Sequence, residues 1–170
     1  MDYFEHFGLA CIFNLDLDHL RKQYYIKSRE SHPDHLDKDD AVNHLSSAYN
    51  NEAFRVLSNP SLRLKYILNL KLGPDLNEPK PNTLFLSEMM DLHEMIDKAV
   101  DNNNSKEIIS LKETVDQLYL NEKNEIEKYL VQFDHGDNSK DVIQKMMDYY
   151  IKLKYFDRLY NNLNNKENEL

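Results

Sequence analysis

The sequence predicts an all-α protein of two helical units. Three observations carry that expectation. The 170 residues include only 3 Gly and 5 Pro, too few for many short strands joined by tight turns. Apolar residues recur at helical spacing along most of the chain. The breaks between those stripes are short and polar, as connections between packed helices are. A hydrophobic share of 41% and a charged share of 30% suit a soluble chain with a buried core.

The elements follow in order. Asp2–Phe7 has room for one or two helical turns. Asp16 is a suitable N-cap for a second helix, and Leu17, Leu20 and Tyr24 form its apolar stripe. That helix ends by Ser31, because Pro33 disfavours a helical conformation at His32. Residues 32–39 read as a polar loop. A third helix is expected over about Asp40–Leu57, with Leu45, Tyr49, Ala53, Val56 and Leu57 on one face. Asn59–Pro60 is a cap followed by proline at the first helical position. It opens a fourth helix over Pro60–Leu72, which Gly73 stops.

"GPDLNEPKPN", residues 73–82, holds three of the five prolines and reads as a linker. Three longer helices are expected beyond it. They cover about Thr83–Asp101, a stretch from Ser105 as N-cap to Phe133, and Lys140–Leu163, with a fraying tail. Short connections between long helices imply an antiparallel three-helix bundle. In its first helix, Phe85, Met89, Leu92, Ile96 and Ala99 form a core stripe. Leu86 and Met90 lie on a neighbouring face, flanked by Asp91 and Glu94, and are surplus to a simple core. An apolar patch with an acidic rim suits protein recognition, although the same residues would also serve to widen the core.

Charge and cysteine usage exclude several functions. The net charge of −9 disfavours nucleic acid, which rewards clustered Lys and Arg. Residues 1–72 hold nine basic and ten acidic residues, against twelve and twenty in 73–170, so the two halves are expected to meet different partners. The single cysteine, Cys11, rules out an intramolecular disulfide and a cysteine-built zinc or iron–sulfur site. No apolar run approaches the roughly 20 residues of a membrane span. The opening MDYFEHFGLA has neither the pattern of a signal peptide nor that of a transit peptide, so a cytosolic, reducing compartment is expected.

"RESHPDHLDKDD", residues 29–40, raises the question of a metal. Pro33 keeps His32 and His35 off a regular helix. The aspartates lack the glycine and terminal glutamate of a calcium loop. "HEMID", 93–97, has Asp where a zinc protease needs its second His, and there is no Glu-x-x-His pair for a di-iron bundle. No metal and no cofactor are expected. Neither a nucleophilic triad nor a phosphate-binding loop stands out.

The context of His-Pro-Asp is more informative. It follows a helix bearing Arg21, Lys22, Tyr25 and Arg29 and precedes one ending in "NEAFRVLSNPSLRLKY", with "DYFEHFGL" at the start. This arrangement resembles a J-domain, a helical hairpin with short flanking helices that activates chaperone ATPases. With the linker and bundle added, nearly the whole chain resembles the HscB family, co-chaperones of iron–sulfur cluster assembly. The resemblance implies a J-domain over 1–72, a linker over 73–82 and a scaffold-binding bundle over 83–170.

It further implies that His32, Pro33 and Asp34, with Lys22, Tyr25 and Arg29, engage an HscA-type chaperone ATPase. Proline would stiffen the loop, and Asp34 offers a charge-assisted bond to an arginine of that partner. Leu86, Met90, Asp91, Glu94 and Tyr155 are implied as the surface for an IscU-type iron–sulfur scaffold. The chain departs from the family pattern at His35, Lys27, Ser31, Asn50, Ser87, His93 and Lys98. Asn50 stands where the family has Ile or Leu. The cysteine-rich zinc module of some eukaryotic relatives is missing, which implies a bacterial-type protein. A general J-domain co-chaperone for unfolded clients is the alternative. Its usual Gly/Phe-rich or zinc-binding segment is absent.

Overall fold

The computed structural model describes residues 2–30, 40–74, 76 and 78–167. All regular elements among them are helices, and none of these is long and apolar enough to cross a membrane. The chain divides into two compact units. One is Met1–Asp75 together with Val131–Asp137, and the other is Leu76–Leu130 together with Asn138–Leu170.

Local chemistry fixes the helices of the first unit. Asp2 and Glu5 form a reciprocal capping box that starts α1, Tyr3–His6. Asp16 Oδ1 accepts the amides of Asp18 and His19 at 2.9 and 3.0 Å and so caps α2, Leu17–Glu30. α3 spans Asp40–Ser58. Asn59 accepts the Leu62 amide, and Pro60 opens α4, Pro60–Leu72. Gly73 ends it at φ 100°, a conformation that suits glycine.

α2 and α3 run antiparallel. The Tyr24 ring lies 4.4 Å from Phe54, and one turn on, Ser28 meets Asn50. α1 closes the hairpin: Tyr3 stacks on Tyr66 at 4.4 Å and donates its amide to the Tyr66 hydroxyl. Phe4, Phe7, Leu20, Ala53, Leu57, Leu64, Ile67 and Leu68 are buried and form the core.

Two positions depart from the sequence expectation. Leu45 is 74% exposed and Leu17 is also largely exposed, so neither belongs to the core. The buried seam of α3 is centred on Asn50, Ala53 and Leu57, and Leu45 projects about 110° from that centre. Asn50 is 1% exposed, and its polar atoms are satisfied. His6 Nε2 donates to Oδ1 at 3.0 Å, and Nδ2 donates to Ser28 Oγ at 2.9 Å and, weakly, to the Tyr24 carbonyl.

The tip residues 131–137, expected as part of the bundle, group with this unit. The Asp134 carboxylate accepts the amides of Phe13 and Asn14, and the Lys71 ammonium sits 5.5 Å from the Phe133 ring. Arg63 is buried here. It donates to the Leu57 carbonyl and lies over the Phe13 ring at 5.1 Å, while burial pulls its pKa down.

The second unit holds α5, Thr83–Asp101, most of α6, Ser105–Asp134, and α7, Lys140–Glu167. Asn82 caps α5 by accepting the Phe85 amide at 2.8 Å. Ser105 is the first helical residue of α6, not its cap. The Asn104 side chain lies one position earlier and faces the Glu107 amide at 3.4 Å. α7 runs on to Glu167, beyond the expected end at Leu163.

The packing is up-down-up. Phe85 meets Phe156 while Asp97 accepts a hydrogen bond from Asn162, so α5 and α7 are parallel. Glu122 pairs with Lys152 and Asp116 with Tyr160, so α6 is antiparallel to α7. The core stripe predicted on α5 is buried throughout and packs on Leu111, Val115, Phe156, Leu159 and Leu163. Lys152 Nζ contacts both carboxylate oxygens of Glu122, at 2.7 and 2.6 Å, and lies 5.4 Å from the Phe85 ring.

Candidate functional site

Two surfaces carry the residues singled out in the sequence, one on each unit. On α2, the spacing of Lys22, Tyr25 and Arg29 puts them on one side of the helix. Leu20 turns inward, and these three turn out. All are exposed, Tyr25 to 57%. The neighbouring charges are locally neutralised, Arg21 by Asp18 at 2.9 Å and Lys27 by Glu30 at 3.2 Å. Lys22 and Arg29 have no ion pair among the described residues, which leaves two cations beside an exposed aromatic ring. Ile26, also exposed, adjoins them, an apolar contribution the sequence reading missed. His32, Pro33 and Asp34 lie outside the described residues, as do His35 and Ser31.

On α5, the outward arc comprises Leu86, Met90, Asp91 and Glu94. Met90 is 64% exposed and is therefore no part of the core, whereas Leu86 is half-buried at the edge of the arc. Asp91 and Glu94 are exposed, and Glu94 reaches Lys98 at 3.3 Å. Such an exposed i,i+4 pair contributes only a few tenths of a kcal/mol, about 0.3–0.5, and leaves the carboxylate accessible.

Tyr155 on α7 packs against the bundle core, with its ring edge-on to Phe85 at 5.8 Å. Phe85 immediately precedes Leu86, so Tyr155 lies at the Leu86 end of the arc. The Arg158 guanidinium covers its ring at 5.5 Å and gives it a cationic neighbour. The arc therefore presents a flexible thioether, a leucine edge and two carboxylates. Such a set is chemically suited to a partner with apolar and basic side chains. Among the described residues no group of three or more His, Cys, Asp and Glu could hold a metal ion.

Sequence reasoning also missed Leu84 and Met95. Both are exposed on the side of α5 that faces α6, off the core stripe and off the arc. Their distance from either recognised pattern explains the omission.

Comparison with known proteins bears on the whole chain. Residues 81–164 match the family described as the HSCB C-terminal oligomerisation domain. A curated relative from Shewanella loihica, a co-chaperone protein HscB homolog, is 31% identical over 100% of this chain and 99% of its own length. The corresponding protein from Acinetobacter baumannii is 26% identical over 100% and 92%. Among solved structures, chaperone HscB from Vibrio cholerae superposes with TM-score 0.74 at 26% identity, covering 100% of this chain and 99% of that one. Human co-chaperone HscB gives TM-score 0.79 at 20% identity over 100% and 84%, a likeness of fold.

A helical hairpin with short flanking helices, followed by a helical bundle, is the architecture of a J-domain co-chaperone. Its extent and its relatives narrow the class further. The chain belongs to the HscB co-chaperone family.

Proposed function

We propose that the protein is an adaptor in iron–sulfur cluster assembly. The bundle binds an IscU-type scaffold through Leu86, Met90, Asp91, Glu94 and Tyr155. The J-domain, residues 1–72, engages an HscA-type chaperone through His32, Pro33, Asp34, Lys22, Tyr25 and Arg29. The linker, residues 73–82, joins it to the bundle, residues 83–170. Docking accelerates ATP hydrolysis by the chaperone and promotes transfer of the cluster from the scaffold. ATP and cluster belong to the partners, so the protein itself performs no catalysis and holds neither. A bacterial-type cytoplasmic setting goes with this role.

The observation that most supports the reading is Met90. A large apolar side chain 64% open to solvent, with carboxylates beside it, contributes nothing to the core of its own unit. The basic, aromatic face of α2 supports the second contact. Lysine and arginine there steer encounter with an acidic surface.

Steady-state ATPase measurements on the chaperone, with scaffold and this protein added, test the proposal. Turnover is expected to rise severalfold, and His32→Gln is expected to abolish the rise. Stimulation that persists in full with His32→Gln would refute the mechanism.

A further inference from the structure

The arc assigned to the scaffold leaves Leu84, Glu88 and Met95 unexplained. They border an open groove of about 700 Å³ between α5 and α6, whose far wall includes Leu118. Leu84 is 83% exposed and Met95 42%. Two apolar side chains so open to water at one groove mark an interaction surface more than a folding requirement.

Two features identify what fits there. The first is charge. Glu88 and Asp91 line the groove and are exposed, with no partner among the described residues. The base that also lines it, Lys152, is already paired with Glu122. The stretch of the groove between Leu84 and Met95 therefore attracts cationic side chains and repels acidic ones. The second is continuity. Asp91 belongs both to the outer arc and to the groove, so a partner lying on Met90 reaches the groove without a gap.

We propose that the scaffold's docking surface extends past the outer arc, over Asp91, into the groove between α5 and α6. Apolar side chains of the scaffold cover Leu84 and Met95, about three turns apart along α5, with Leu118 on the opposite wall, and a basic one faces Glu88 between them. This rests on the scaffold reading above. It adds a second anchor that fixes the orientation of the partner. A single apolar patch would leave that orientation free.

Titration calorimetry with purified IscU-type scaffold tests it. Met90→Ala probes the arc, and Leu84→Ala and Met95→Lys probe the groove. These side chains are exposed, so the core is untouched, and circular dichroism checks this. Each groove variant is expected to weaken binding about tenfold. Glu88→Gln is expected to weaken it about threefold at low salt and hardly at all near 1 M salt.

If Met90→Ala weakens binding while both groove variants bind as wild type, the groove proposal is overturned and the scaffold reading stands. If the wild type does not bind the scaffold at all, the reading falls and takes the groove with it. Sedimentation velocity covers the remaining occupant. A wild-type dimer that Met95→Lys converts to monomer would assign the groove to a second copy of this chain and overturn the proposal.

Discussion

Asn50 is the most revealing residue to perturb, because it puts a hydrogen-bonded amide in the buried seam of α3. Asn50→Ala removes the acceptor of His6 and the donor to Ser28, at 3.0 and 2.9 Å. The third contact, to the Tyr24 carbonyl at 3.4 Å, is long and contributes little. Two sound hydrogen bonds at about 1 kcal/mol each, with His6 and Ser28 half-buried and so partly rehydrated, put the loss near 2 kcal/mol. That is roughly a thirtyfold rise in the opening equilibrium of the α2–α3 hairpin.

Asn50→Leu keeps the volume but strands the same two partners, and is expected to cost about 1 kcal/mol. Adding Ser28→Ala removes one stranded group, so the double variant should recover to within about 0.5 kcal/mol of wild type. Native-state hydrogen exchange of the α2 and α3 amides reads this unit separately from the bundle. Unchanged exchange in Asn50→Ala would refute the reasoning. So would a double variant as damaged as Asn50→Ala.

Other tests bear on single features. Burial, with the hydrogen bond to Asp116, raises the Tyr160 pKa, and burial likewise raises that of Tyr149, both well above 10.0. The stability linked to them is complete below pH 10 and lost as pH rises beyond it, because only the unfolded chain then releases those protons. Urea melts should show the bundle weakening above pH 10 and a flatter profile for Tyr149→Phe with Tyr160→Phe. The Asp16 pKa is held down by the amides of His19 and Asp18. Its contribution is present above pH 3.8 and fades as pH falls through the lowered folded value, and Asp16→Asn should keep the cap while removing that pH dependence from exchange at the start of α2. Phe156 is buried against Phe85 and Tyr119. Phe156→Ala should lower bundle stability by about 3–5 kcal/mol in thermal melts.

What the sequence revealed follows from where its information is local. The stripe from Phe85 to Ala99 needed only helical period, and Asn59–Pro60 and Gly73 are self-contained punctuation. Both sets sit where expected. Asn104 took the capping role from Ser105 because either side chain fits, and the choice depends on the preceding turn, where Asn103 has φ 49°. Leu17 and Leu45 failed for a tertiary reason, since periodicity cannot say which edge of a stripe a neighbour covers. Asn50 and His6 are 44 residues apart, and nothing in either local segment announces that they meet. On the candidate surfaces, Met90 was legible as surplus to the stripe. Leu84 and Met95 become significant only when α6 lies beside them. His32, Pro33 and Asp34 rest on their motif.

The ion pair between Lys152 and Glu122 bears on alignment more than on strength. α6 and α7 are 30 and 28 residues long, and apolar side chains recur at similar spacing along both. Two such rods can slide by one turn, about 5.4 Å, and still bring grease against grease. A slide of that size pulls the ammonium off both carboxylate oxygens and strands two half-buried charges. When α7 is the helix that moves, the slide also lifts Lys152 from the Phe85 ring, which ties the same setting to α5. Misaligned bundles are thus penalised by about 1–2 kcal/mol, the cost of leaving half-buried polar groups unpartnered, even though the pair itself contributes little net stability. One lysine acts as the index mark that keeps three helices in step, and with them the relative positions of Met90 and Tyr155.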